Sequence, residues 1–137
     1  MNTNDTNKNK RQILLKELSY KITGLCFQVH NKLGRFCREK QYADRLAEYL
    51  KTTKISFKRE IEITPIEPNS PFGNRIDFIV DNSIILELKA KKFITKEDYY
   101  QIQRYLQALN LQLGFIINFR NTYLKPKRII NNKYIKK

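Results

Sequence analysis

Arg75-Ile76-Asp77-Phe78-Ile79-Val80, then Asp81-Asn82-Ser83, then Ile84-Ile85-Leu86-Glu87-Leu88-Lys89-Ala90: two apolar, largely β-branched runs flank a polar triplet. This pattern reads as an antiparallel hairpin closed by a three-residue loop. In that register Val80 pairs with Ile84, and counting back sets Asp77 opposite Glu87. Opposed residues of an antiparallel pair have Cβ atoms about 4.5–5.5 Å apart, so the two carboxylates are expected to meet. Lys89 stands two residues after Glu87 and projects from the same face, because strand side chains alternate. The alternation puts Ile76, Phe78, Val80, Ile84, Leu86 and Leu88 on the other face, which is wholly apolar and expected to meet the core.

Like charges directly opposed in a sheet repel. A divalent cation would remove that penalty, and oxygen donors of this kind suit Mg²⁺, with Mn²⁺ as the substitute. Such an ion activates water and stabilises charge developing on a phosphate, and a neighbouring ammonium assists. The plain alternative is a solvated strand face on which Lys89 neutralises both acids. An E-x-K tripeptide alone is common on such faces; the opposed Asp77 is what makes the metal reading the stronger one.

Around the hairpin, the periods change in a fixed order. Residues 1–10 are polar and read as a disordered tail. Leu14, Leu18, Ile22, Leu25, Val29 and Leu33 then recur at helical spacing, and Gly34 is placed to end that helix. A second helix is expected from Glu39 to Lys51, with Ala43, Leu46, Ala47 and Leu50 inward. Ile55–Thr64 alternates with period two, as a half-buried strand does, and 65–74 is a proline-rich loop. Beyond the hairpin come a helix over Lys96–Asn110 with Tyr99, Ile102, Leu106 and Leu109 inward, and a buried strand over Gln112–Phe119. Arg128-Ile129-Ile130 is a candidate edge strand, and 131–137 is a basic tail. One α/β domain with a mixed sheet flanked by helices, spanning 11–130, accounts for this order.

The chain has 137 residues and a formal net charge of +14. An excess of that size repels itself unless an anionic partner offsets it, and nucleic acid is the first candidate: DNA, with RNA as the alternative. Cys26 and Cys37 are too few for a disulfide framework and lack metal-site spacing; Cys26 falls in an apolar helical pattern. No apolar run reaches the length of a membrane span and no signal peptide precedes the first helix, so an intracellular location and no membrane partner are expected.

Asp77 followed by Glu87-Leu88-Lys89 on consecutive strands resembles the PD-(D/E)XK nuclease superfamily. More narrowly, the chain is similar to its GxxExxY proteins through Val29-His30-Asn31-Lys32-Leu33-Gly34, Glu39-Lys40-Gln41-Tyr42, Arg75-Ile76-Asp77-Phe78, Leu86-Glu87-Leu88-Lys89 and Gly114-Phe115-Ile116-Ile117-Asn118-Phe119. The departures are a G-x4-E-x2-Y spacing over Gly34, Glu39 and Tyr42, Phe36 where a second glycine is frequent, and Ile76 in place of the proline. The resemblance implies a restriction-endonuclease-like core and a Mg²⁺-dependent DNA nuclease centred on Asp77, Glu87 and Lys89. A Holliday-junction resolvase, acting as a homodimer, is its narrower form. A non-catalytic nucleic-acid-binding module on the same fold is the competing function.

Supporting residues follow from the same likeness. Glu39 opens the second helix with Tyr42 one turn on, and an acid on that helix often completes metal binding in the superfamily; the alternative is a first-turn glutamate complementing the helix dipole. Gln101 and Tyr105 resemble the Q-x-x-x-Y element of RecB-like nucleases and are expected to orient Lys89 or a substrate phosphate. His30 is a candidate metal ligand by the same analogy, against the commoner outcome of a histidine satisfied by a backbone carbonyl. Lys91, Lys92, Lys96 and Arg104, with Tyr100 as the stacking aromatic, form a candidate phosphate track.

Overall fold

The computed structural model describes residues 3–63 and 75–136, with side chains described from residue 9 onward. The elements run α1 (Thr3–Leu33), α2 (Glu39–Thr52), β1 (Phe57–Glu62), β2 (Arg75–Val80), β3 (Ile84–Lys89), α3 (Lys96–Leu109), β4 (Leu113–Asn118) and β5 (Lys127–Ile130). The strands form one sheet in the order β1-β2-β3-β4-β5. Only β3 and β4 are parallel, joined by the crossover through α3; the other three pairings are antiparallel, so the sheet is mixed as expected. The loop expected over 65–74 lies outside the described residues.

Helices cover both faces of the sheet. On one face Ile22, Leu25, Cys26 and Val29 of α1 and Tyr42, Leu46 and Leu50 of α2 pack with Phe78, Leu86, Leu88, Phe115 and Ile117. On the other, Ile102, Tyr105 and Leu106 of α3 pack with Ile76, Ile79, Ile85, Ile116 and Ile129. The face that carries Glu87 and Lys89 is therefore not bare: its Ile79 and Ile85 lie buried under α3, which leaves only the Asp77–Lys89 end open to chemistry. β4 is buried along its whole length and passes so close to α3 that a Cβ on Gly114 would meet Ile102 Cγ2 at 3.1 Å and the Ile85 carbonyl oxygen at 3.3 Å.

The ends of these elements have local causes. Gly34 closes α1 in the left-handed region at φ 76, donating its N–H to the His30 carbonyl. Asp81 and Asn82 both take positive φ, and Ser83 donates to the Val80 carbonyl, closing the hairpin with the residue types that tolerate that turn. Asn110 caps α3 at φ 49, and its side-chain amide exchanges two hydrogen bonds with the backbone of Ile135.

α1 begins at Thr3, inside the segment read as a disordered tail; that segment lacks an apolar stripe but contains no Gly or Pro to stop a helix propagating backwards from the packed turns. Leu14, expected on the core stripe, is 64% exposed, and Leu15 packs on the core in its place. The C-terminal segment is tied to the domain: buried Asn131 donates to the carbonyls of Leu106 and Leu111, and the Tyr134 hydroxyl accepts from Arg11. Among the described residues no helix is long and apolar enough to cross a membrane.

Candidate active site

β2 and β3 pair as Val80↔Ile84, Ile79↔Ile85 and Phe78↔Leu86, the register counted from the loop. One step further the backbone ladder gives way to side chains. The Asp77 N–H donates to Glu87 Oε1 at 2.9 Å, and the Leu88 N–H donates to Asp77 Oδ2 at 2.8 Å. Each carboxylate thus takes an amide that a strand carbonyl would have taken. Asp77 also stands outside the β1–β2 pairing, opposite Glu60, which turns to φ 52. This break explains why Ile76, expected beside Phe78, packs instead under α3.

The two carboxyl groups are close enough for each to perturb the other electrostatically. Glu87 is 3% exposed; burial, then the charge of Asp77, pushes its carboxyl up to about 8. Burial raises Asp77 as well, although its bond from Leu88 and the charge of Lys89 pull the other way. The pair therefore holds a proton near neutrality, as two acids sharing a low-dielectric site do.

Lys89 Nζ lies 4.0 Å from Asp98 Oδ1, and Lys91 Nζ lies 2.6 Å from Asp98 Oδ2. Lys91, expected on a phosphate track, is thus held by an ion pair, and its backbone is gripped on both sides by the Asn118 amide. Lys92 is exposed, with its ammonium 5.9 Å from the Phe93 ring; Lys96 and Tyr100 are exposed on α3. Arg104 is half-buried, close enough to Tyr105 for its charge to act on that hydroxyl.

Glu39 reaches the end of β3, where its Oε1 accepts from the Ala90 N–H at 3.3 Å. It lines a cleft of ≈ 370 Å³ together with Lys40, Ala43, Arg59, Glu60, Arg75, Asp77 and Leu88. A cleft of ≈ 660 Å³ between α1 and the β4–β5 edge is lined by no acidic residue, so size alone does not mark the site. Tyr42 points away from the cleft: it is fully buried, stacked on Phe119 with ring centroids 4.2 Å apart. Its hydroxyl donates to the Gly34 carbonyl and accepts from the Cys37 N–H, which clamps the α1–α2 loop. Tyr42→Phe strands both of those backbone groups, and thermal denaturation should show a loss of about 1–3 kcal/mol.

His30 is not brought to the carboxylates. Its Nε2 is hydrogen-bonded to the Asn121 carbonyl at 2.9 Å and its ring leans on Phe119. Among the described residues no three His, Cys, Asp or Glu side chains converge as a ligand cluster, so Glu39 approaches the pair without joining it. Gln101 and Tyr105 do come together. They share a hydrogen bond, the Tyr105 hydroxyl donates to the Arg75 carbonyl, and burial with the charges of Glu87 and Asp77 pushes that hydroxyl up to about 12. Tyr105 is a core residue, 2% exposed.

A family model of the PD-(D/E)XK nuclease superfamily matches residues 16–130, a span that contains the hairpin, the five described strands, α2, α3 and the part of α1 from Lys16 onward. The chain belongs to the PD-(D/E)XK nuclease superfamily. Its members are usually nucleases and typically use divalent metals, and the α/β sheet described above is consistent with their restriction-endonuclease-like fold. No curated protein matches the chain.

Within this PD-(D/E)XK domain, sequence reading missed Asp98 and Asn118. Asp98 is nearly buried and closes the α3 N-terminus, accepting from the Thr95 N–H at 2.7 Å and from its hydroxyl. Lys91 and the Thr95 bonds hold its carboxyl below the ordinary range despite burial. The signal available was Thr95-x-x-Asp98, a helix-start pattern, which points to a cap and says nothing of a lysine partner at the end of β3. Asn118 sits beside Lys89 in the β3–β4 register and sets the exit of the chain after it. In the sequence it stands inside the strand expected over Gln112–Phe119, with no signal of this role.

Proposed function

We propose that this chain is a divalent-metal-dependent deoxyribonuclease of the GxxExxY group. The observation that carries it is the buried contact between the Asp77 and Glu87 carboxyls with Lys89 at its edge, in a chain of net charge +14. The donor set fits a hard cation. Two acids forced together keep a proton for want of a better positive charge, and Mg²⁺ is usually held by one or two carboxylates with water completing its shell. Asp77 and Glu87 would hold the ion, Mg²⁺ or Mn²⁺, which supplies Lewis-acid activation of a scissile phosphodiester and of water. Glu39 borders the same cleft and is positioned to bind the ion through a water.

The protein's own groups divide the remaining work. Lys89 presents an ammonium at the open end of the pair, to orient a phosphate or the attacking water. Asp98 limits where that ammonium can go. Tyr105 seals the α3 side of the pair, and Gln101 holds the Tyr105 hydroxyl. Lys40 and Arg75 line the cleft beside Asp77 and give a phosphodiester its counter-charge, while Arg59, also on its lining, is ion-paired to Asp44 at 3.0 Å. Gln101→Ala should lower the cleavage rate with stability nearly unchanged, whereas Tyr105→Ala should cost about 3–5 kcal/mol as a core truncation; single-turnover rates and denaturant melts separate the two.

A resolvase-like homodimer acting on four-way junctions is the narrower form of this proposal. The non-catalytic binding module has one observation on its side, the engagement of Lys89 by Asp98. Incubation with linear, nicked, single-stranded and four-way DNA, and with RNA, in Mg²⁺, Mn²⁺ or EDTA decides between them. Cleavage that needs the metal is expected. Binding to all substrates with no cut in either metal would leave the module.

A further inference from the structure

We infer that Phe36, braced by Arg35 and Arg120, is a stacking site for an unpaired nucleobase beside the open end of the active centre. This rests on the nucleic-acid reading above and narrows its substrate to one that offers an unstacked base. Phe36 is 75% exposed in the short α1–α2 loop. The guanidinium carbon of Arg35 lies 4.8 Å from its ring centroid and that of Arg120 lies 5.6 Å away. The two arginines also lock their loops together: Arg35 Nε donates to the Arg120 carbonyl at 2.8 Å, and Arg120 Nε donates to the Arg35 carbonyl at 3.0 Å. Arg120 then donates through Nη2 to the carbonyl of Ala90, the residue after Lys89.

A lone exposed aromatic is ordinary. Here the ring is held out from the core on a loop that the Tyr42 hydroxyl grips at Gly34 and Cys37, on either side of it. Holding an apolar ring out in water beside two cations has no folding benefit comparable to burying it. It does supply the two parts that unpaired nucleic acid requires, a π face for the base and charge for the flanking phosphates. Bases inside a duplex are already stacked and their faces are closed to a side chain, so the site discriminates by strand pairing. Oligothymidylate and oligouridylate offer the same kind of pyrimidine face and differ in the sugar and in the thymine methyl group.

Fluorescence anisotropy in EDTA, on the full chain, tests this with short oligothymidylate, oligouridylate and a blunt DNA duplex. Phe36→Ala should weaken oligothymidylate binding about tenfold, the scale of one lost base–aromatic stack, and leave the duplex unchanged. A matching loss on oligouridylate means the site accepts both sugars; a loss on oligothymidylate alone assigns it to DNA. The chain has no tryptophan, so Phe36→Trp provides a single reporter, whose emission should be quenched by the single strand and not by the duplex. An equal loss on single strand and duplex, no loss on either, or an unquenched indole overturns the inference. Because nothing in this assay requires cleavage, the outcomes separate. Stacking without any nuclease activity would keep the site and remove the enzyme, and cleavage with a silent Phe36→Ala would do the reverse.

Discussion

Glu87→Gln and Asp77→Asn should each reduce cleavage by at least about 10²–10³-fold, the scale of losing one preorganised electrostatic contact to a reacting group. Both substitutions keep the shape and the acceptor oxygen, so the amides of Asp77 and Leu88 retain partners and the hairpin register survives. What goes is negative charge at the point where the cation is proposed to sit. DNA affinity should stay the same or rise, since a charge that repels phosphate has been removed. Single-turnover cleavage with a parallel binding isotherm reads both quantities. A variant that still cuts at the wild-type rate would remove Asp77 and Glu87 from the chemistry, whatever the family of the fold.

The second large effect is on stability, and its sign follows from the raised carboxyl of Glu87. The unfolded chain gives up this proton near 4.5, whereas the folded protein keeps it to about 8. Folding stability from this group is therefore full below about pH 4.5 and is lost as pH rises to about 8. Asp98 is perturbed the other way, so its contribution is lost only in acid, as pH falls below the ordinary carboxylate range, and stays constant over this window. Each unit of displacement is worth about 1.4 kcal/mol, which makes the total a few kcal/mol for so buried a group. In EDTA the melting temperature should fall between pH 5 and pH 8 by on the order of 10 °C. Glu87→Gln should flatten that slope. Mg²⁺ should restore the melting temperature at pH 8 and do little at pH 5, because the cation and the proton compete for one place. A flat melting temperature across the window in EDTA would mean that the pair is already ionised and compensated.

Much of this was legible in the sequence because it is local. The turn triplet Asp81-Asn82-Ser83 set the hairpin register, and period-two counting carried it to Asp77 and Glu87. The α2 and α3 boundaries and the Arg128-Ile129-Ile130 edge strand could likewise be read from apolar spacing and helix-start residues. What could not be read depends on which group each side chain takes as its partner, and sequence spacing does not show that. Asp77 leaves both ladders because two side chains outcompete two carbonyls for amides, and that exchange turns Ile76 to the other face. The Asp98 clamp on Lys89 and Lys91 joins α3 to the end of β3, and the Arg35–Arg120 latch joins the α1–α2 loop to the segment after β4. His30 shows the same limit in reverse: its sequence position fitted an analogy, and a carbonyl of Asn121 had already satisfied it. Tyr42 read as a partner of Glu39 because the two lie one turn apart, but its helix presents it to Phe119 and the loop.

The central claim is that Asp77 and Glu87 give up a shared proton to hold a divalent cation. Isothermal titration of the full chain with Mn²⁺ at pH 7, repeated in buffers of different ionisation enthalpy, measures it directly. The account predicts saturable binding that releases protons to the buffer, with both the binding and the release abolished by Glu87→Gln and by Asp77→Asn. Binding that persists undiminished in those variants, or no binding by the wild-type chain, would contradict it.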